Sequence, residues 1–218
     1  MSSPLDPYTD PATGVLRNRL GITDSDELDR AEAFWTASQL AQLHRRDGLR
    51  IEGSYDLPHL QAFHRFLFGE IYDWAGEIRT VAIAKADLFC LPQFIESYAA
   101  DVFGKLARAN HLRELDRSEF LNGLAEAIGD VNAVHPFREG NGRTQRVFFS
   151  QLARDAGHPL DWRRLDAQQN LIAGQASLRG DLAPLRALLD HHVALAATEI
   201  TTETPDLPAQ RSGYRAGH

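Results

Sequence analysis

Recurring helical periodicity, punctuated by aspartates placed to cap helix starts and broken by one short extended stretch, constrains this chain more than any other feature. From Asp24 to Asp47 the apolar residues Leu28, Phe34, Trp35, Leu40 and Leu43 recur at the spacing of one helix face, and Gly48 stands where a helix-ending turn belongs. Asp56 predicts the start of a second helix carrying Leu57, Leu60, Phe63, Leu67 and Ile71. A third, over 92–109, presents Phe94, Ile95, Tyr98, Val102 and Leu106. Asp116 and Glu119 have the spacing of a capping box ahead of a fourth, which runs through Phe120, Leu124, Ile128, Val131 and Val134. A fifth carries Val147, Phe148 and Leu152 and stops at Gly157, and two more, over 166–178 and 181–197, begin at Asp166 and Asp181. Only GEIRTVAIAKADLFC, residues 76–90, sets β-branched residues around a turn-like centre, which predicts a short hairpin. The expected fold is all-α with one short β-hairpin.

A chain of 218 residues with 43% apolar content can bury one sizeable core. The expected organisation is an N-terminal arm over 1–22, a helical domain over 23–197 and a polar, proline-containing tail over 198–218. A net charge of −7 argues against broad binding to nucleic acid or anionic membranes, which needs surplus Lys and Arg. The single cysteine, Cys90, excludes an internal disulfide and suits a reducing compartment. No run of 18 apolar residues and no signal-peptide pattern is present, so a cytoplasmic protein is expected.

The stretch that points to chemistry is HPFREGNGRTQR, residues 135–146, between the fourth and fifth expected helices. His135 ends one helix while Asn141 and Gly142 start the next, whose first amides have no intrahelical acceptor and carry the positive end of the helix dipole. Gly140 and Gly142 let backbone approach an anion, and Arg143 and Arg146, three apart, share a helical face, so a diphosphate fits. Glu139 supplies the single carboxylate that a phosphate-bound Mg²⁺ usually takes from protein. His135 faces the same phosphates with chemistry suited to taking a proton from an attacking hydroxyl. Phe137 is expected to anchor the loop in the core. Singly, a Gly-Asn-Gly turn, a helix-end histidine or a pair of arginines is commonplace structure; their combination at this spacing is what points to a phosphoryl or nucleotidyl transfer site. Elsewhere the histidine pairs 59/64 and 191/192 have poor metal-ligand spacing, Cys90 lacks an activating neighbour, and Trp35, Trp74 and Trp162 are read as core residues.

The stretch resembles the signature of the Fic family, His-x-Phe-x-(Asp/Glu)-Gly-Asn-Gly-Arg-x-x-Arg, and meets every specified position. The likeness extends through DPYTDPATGVLRNRLGI near the start and HLQAFHRFLFGEIYDWAGEIRTV from His59 to Val81, and covers residues 6 to 195. It implies a Fic-type helical bundle with a small hairpin, the flap, and a protein adenylyltransferase that moves AMP from ATP to a hydroxyl of a target protein. Carried over by position, His135 would be the general base and Glu139 the Mg²⁺ ligand. Gly140, Asn141 and Gly142 would hold the α- and β-phosphates, Arg143 the β-phosphate and Arg146 the γ-phosphate. The flap, with Ile78, Arg79, Thr80, Val81, Ala82, Ile83, Ala84, Lys85 and Phe89, would pair with an extended segment of the target.

The resemblance also implies regulation. Members restrain themselves with a helix of pattern (Ser/Thr)-x-x-x-Glu-(Gly/Asn) whose glutamate pairs with the second signature arginine. Here Thr23 to Glu27 is followed by Leu28, and Glu52-Gly53 has Gly48 in the hydroxyl position, so neither fits. The chain is therefore similar to the branch restrained by a separate small antitoxin, which implies a toxin whose Arg146 receives the antitoxin's glutamate. Implied targets include ATPase subunits of type II topoisomerases or, for related effectors, host GTPases. Two alternatives stay open at this stage: transfer of another group on the same fold, against which Gly142 speaks for the phosphorylating branch, and a non-catalytic nucleotide- or protein-binding module.

Overall fold

Aspartate side chains begin most of the helices. The computed structural model describes residues 6–43, 49–84 and 88–193. Its helices are α1 (Ser25–Leu43), α2 (Leu57–Phe68), α3 (Ile95–Arg108), α4 (Arg117–Val134), α5 (Asn141–Asp155), α6 (Ala167–Leu178) and α7 (Ala183–His192). Asp24 accepts from the Glu27 amide at 2.8 Å ahead of α1, Asp56 from His59 at 2.9 Å ahead of α2, and Asp166 from Gln169 at 2.7 Å ahead of α6. The capping box at α4 forms in both directions, Asp116 accepting from the Glu119 amide and Glu119 from that of Asp116. Each such cap satisfies an amide that the helix leaves unpaired and contributes about 0.5–2 kcal/mol. The expected tail from residue 198, the end of the last expected helix beyond Val193, residues 44–48 and Lys85 lie outside the described residues.

α4 packs against α3, α5, α6 and α7, and α5 packs against α2 as well, so the loop joining α4 to α5 sits at the centre of the bundle's contacts. Ten of the fifteen residues of α5 are buried, including the polar Asn141, Thr144, Gln145, Ser150 and Gln151. Leu60, Phe63 and Leu67 of α2, Phe120, Leu124 and Val131 of α4, and Phe148, Phe149 and Leu152 of α5 form the middle of the core. No helix among the described residues is long and apolar enough to cross a membrane.

Two expectations change. Phe34, assigned to the apolar face of the first helix, is 71% exposed, and Phe94 and Tyr98 of the third also reach solvent, while Ala99 and Phe103 take core positions. Periodicity locates a face to within a residue or so, and packing against the neighbouring helix chooses which edge of it is covered. Among the described residues, the hairpin over 76–90 is one antiparallel bridge, Ala84 with Leu88, supported by a Phe89 N–H to Ile83 C=O bond of 3.3 Å. The flanking backbone pairs elsewhere: the Arg79 amide donates to Pro136 at 2.9 Å and the Cys90 amide to Ala133 at 3.0 Å. The segment thus pairs with itself near residues 83–89 while its two ends are tied to the C-terminal end of α4 and the loop after it.

Candidate active site

α4 ends at His135, whose backbone is left-handed (φ 44°, ψ 62°), a conformation uncommon for a residue with a Cβ and one often found where a site holds a side chain in place. A helix C-terminus leaves carbonyls without donors. Here the fully buried Arg79 supplies them: its Nε donates to the His135 carbonyl at 2.8 Å, and Nη2 reaches Val134 at 3.4 Å and Cys90, while Nη1 donates to Val81 at 2.7 Å. A cation at this position also opposes the negative end of the helix dipole. Arg79, one of the nine flap residues expected to meet a target, turns its side chain inward and ties the flap to the signature loop.

The His135 ring stacks on Phe89, with centroids 3.7 Å apart and planes at 15°. Its Nδ1 lies 3.2 Å from the Asn132 carbonyl. A carbonyl can only accept, so Nδ1 carries the proton in the neutral ring and Nε2 carries the lone pair. Two cavities meet at this ring. One, about 150 Å³ and mostly apolar, is bounded by Ile128, Phe149, Trp162, Leu178 and Leu188, with Asn132, Gln145, Arg146, Asn170, Gln175 and Ser177 among its polar groups. The other, about 270 Å³ and more polar, is a groove between Ile83 and Ala84 of the flap and Arg138, Glu139 and Asn141 of the loop. His135, Phe89 and Gly142 line both.

α5 opens with no side-chain cap, and its first intrahelical bond is from the Thr144 amide to the Gly140 carbonyl at 3.0 Å, which leaves the amides of Asn141, Gly142 and Arg143 ahead of the ladder. That is the arrangement of an anion site. The Asn141 side chain is committed to the loop: Oδ1 accepts from the Phe137 amide at 3.0 Å and Nδ2 donates to the Phe137 carbonyl at 2.7 Å. Asn141 therefore offers an anion its backbone. Gly140 sits at φ +80°, whereas Gly142 has an ordinary helical backbone and only leaves space beside the Arg146 guanidinium, so the flexibility expected of both glycines is needed at one. Arg146 is partly buried, and burial first, then the nearby Arg143 charge, lowers its pKa. Among the described residues no carboxylate pairs with it. Glu27 and Glu52, the two near misses, are both exposed, and Glu52 pairs weakly with Arg50 at 3.8 Å.

Glu139 is half-exposed at the groove, with Oε1 accepting from the Gly140 amide at 2.7 Å. No group of three or more metal-ligating side chains occurs among the described residues. One open carboxylate beside an anion site fits a Mg²⁺ that draws its other ligands from phosphate and water. Phe137 is buried as expected, stacked on His64 at 3.9 Å.

His64 is the support that sequence reasoning passed over when it weighed the residue only as a metal ligand. It is fully buried, its Nδ1 accepts from the Gly76 amide at 2.7 Å, and its Nε2–H therefore donates to the Glu139 carbonyl at 3.0 Å. Burial pushes its pKa down to about 3. Below pH 6.5 the unfolded chain gains a proton at this ring that the folded chain refuses, so the stability His64 contributes is complete above pH 6.5 and declines as pH falls towards 3. Relative to His64→Gln, the wild type should lose about 1.4 kcal/mol per pH unit across that window in denaturant titrations. Parallel profiles for the two proteins would show that His64 does not titrate with folding.

The remaining residues outside sequence reach are those of the apolar cavity. Trp162, assigned to the core, is only partly buried and lines it, with Nε1 donating to Ser150 Oγ at 2.8 Å. Cys90 behaves as expected of an inert thiol, its pKa raised by burial.

The sequence profile of the Fic/DOC family matches residues 54–153, which include the whole loop. The chain is 44% identical over 185 residues to the protein adenylyltransferase VbhT of Bartonella schoenbuchensis, a match that takes in 84% of this chain and 38% of VbhT. It is 42% identical over 184 residues to y4lH of Sinorhizobium fredii, with 84% of this chain and 93% of y4lH covered. The N-terminal Fic domain of a VirB-translocated effector of Bartonella quintana, solved with bound ADP, superposes with a TM-score of 0.79 at 25% identity, over 87% of this chain and 95% of that one. The chain thus spans little more than a third of VbhT and nearly all of y4lH. With that near-complete match to y4lH and the family profile over the signature loop, the chain belongs to the Fic/DOC family.

Proposed function

We propose that this chain is a protein adenylyltransferase, transferring AMP from ATP to a hydroxyl side chain of another protein. The observation that carries the proposal is the convergence at one point of an uncapped helix N-terminus, an arginine with no carboxylate partner among the described residues, and a histidine whose lone pair lies on Nε2. A partly buried cation without a counter-ion is unfavourable unless an anion arrives. The triphosphate would run along the α5 start, its α- and β-phosphates on the open amides of residues 141–143, with the Arg143 side chain at the β- and Arg146 at the γ-phosphate. The apolar cavity beside Arg146 would take the base, and the groove bounded by Ile83 and Ala84 the target segment.

In the transfer step His135 Nε2 takes the proton of the target hydroxyl as its oxygen bonds to the α-phosphorus. The bond from that phosphorus to the oxygen bridging to the β-phosphate breaks, and pyrophosphate leaves. Mg²⁺ bound at Glu139 would supply neutralisation of the phosphate charge. Arg79 holds the His135 backbone, and Phe89 and Asn132 hold its ring, so little reorganisation is left to the moment of reaction.

Incubation with target-containing lysate and α- or γ-labelled ATP tests the reaction. Label from the α-phosphate should appear on protein. γ-Label on protein would mean phosphorylation, and no label from either would reduce the site to binding. The absence of an inhibitory carboxylate at Arg146 among the described residues supports restraint by a separate small protein whose glutamate occupies the γ-phosphate subsite.

A further inference from the structure

Glu32 is a charged residue on α1 that is only 4% exposed and lies outside the signature loop. A buried carboxylate persists only with partners. It has two: its Oε1 accepts from the Tyr72 hydroxyl and its Oε2 from Arg143 Nη2. Burial and the Glu32 contact hold the Tyr72 hydroxyl well above its ordinary pKa, so it remains a donor. Arg143 in turn lies over the Phe68 ring, 4.8 Å from its centroid, and its Nη2 is 3.6 Å from Glu139 Oε1.

Arg143 therefore stands between two carboxylates, hydrogen-bonded to the buried one and in a looser ion pair, at 3.6 Å and without a hydrogen bond, with the half-exposed one. Left to itself, an arginine four residues after a glutamate would pair with it, closing that carboxylate to other cations. Attraction to a charge in low dielectric is several times stronger than to one bathed in water, and exposed pairs contribute little, so Glu32 wins the contest. We propose that Glu32 is a positioning residue that draws Arg143 away from Glu139 and so keeps the Glu139 carboxylate open for a divalent cation. This rests on Glu139 as the metal ligand in the proposed function.

The test is calorimetric binding of a non-hydrolysable ATP analogue to the full chain over a series of Mg²⁺ concentrations. Glu32→Gln keeps the size and the hydrogen-bonding reach of the side chain and removes its charge. It should raise the half-saturating Mg²⁺ concentration about tenfold, the usual scale for residues that orient a metal ligand. Tyr72→Phe, which leaves the charge but loosens its orientation, should shift it in the same direction by less. In an Arg143→Ala background the Glu32→Gln change should leave the Mg²⁺ requirement unmoved, because no competitor for Glu139 remains. An unchanged requirement in both single variants would overturn the proposal. So would an equal shift with Arg143 absent, which a general loosening of α1 would produce. A wild type that binds the analogue with no Mg²⁺ dependence would instead overturn Glu139 as ligand, and the role of Glu32 with it.

Discussion

Replacing His135 with alanine should lower AMP transfer by about 10²–10⁴-fold while leaving affinity for ATP nearly unchanged. In the proposed reaction the base acts on the acceptor hydroxyl, whereas the phosphates would be held by the α5 amides and the arginines, so the loss belongs in the rate and not in nucleotide binding. His135→Asn is the sharper variant. Its side chain tolerates the left-handed backbone at this position better than alanine does, yet cannot take the proton. If the asparagine variant folds, binds ATP and transfers at the wild-type rate, His135 is not the base. If both variants lose ATP binding, the ring stacked on Phe89 is holding the nucleotide cavity together and its chemical role would have to be separated from that.

The loop was legible in the sequence because its chemistry is local. A helix end, a turn and a helix start within twelve residues place His135, Glu139 and the α5 amides without reference to anything distant. What supports the loop was not legible, because it arrives from far along the chain. Arg79 reaches the His135 carbonyl across 56 residues, His64 reaches Glu139 across 75, and Glu32 reaches Arg143 across 111. Each of these is a charged or titratable residue in a helix or an apparent hairpin. Spacing alone sets Glu32 beside Leu28 and Trp35 and His64 beside Leu60 and Leu67, on apolar faces, but it names no partner for either. Only packing supplies the partner.

The same division runs through the fold. Caps at Asp24, Asp56, Asp116 and Asp166 act within three residues, and those helix starts could be read directly. The expected hairpin is shorter among the described residues than its sequence suggests, for the opposite reason. Its β-branched residues have the local preference for extended backbone, but the open carbonyls at the end of α4 compete for its donors and win two of them. Phe34 shows the limit of periodicity itself: an aromatic on the edge of an apolar face is covered only if a neighbouring element reaches it, and here none of the described residues does.

Gly140→Ala should be the most destabilising single change in the loop. The backbone there sits at φ +80°, where a Cβ costs about 1–2 kcal/mol. A Cβ at that position would also lie 2.4 Å from two ring atoms of Phe68, far inside the roughly 3.5 Å at which carbon atoms make contact. Phe68 cannot step aside: it is fully buried, with the His64 ring 4.8 Å away on one side and the Arg143 guanidinium over it. Overpacking of this kind costs about 1–3 kcal/mol, so the two effects together remove about 2–5 of the 5–15 kcal/mol that hold a typical domain folded. For a chain of this length that corresponds to a fall in Tm of about 4–20 °C. Any relief by shifting the loop would move the amides of residues 141–143 from the phosphate path, so surviving protein should also bind ATP poorly. Gly142→Ala makes the contrast: its backbone is helical and the added Cβ would lie 3.5 Å from Arg146 Nη1, an ordinary contact, so Tm should stay within a few degrees of wild type while any change appears in nucleotide binding. Equal melting of the two variants would mean that Phe68 does not brace the loop and that the turn at residue 140 can relax at little cost.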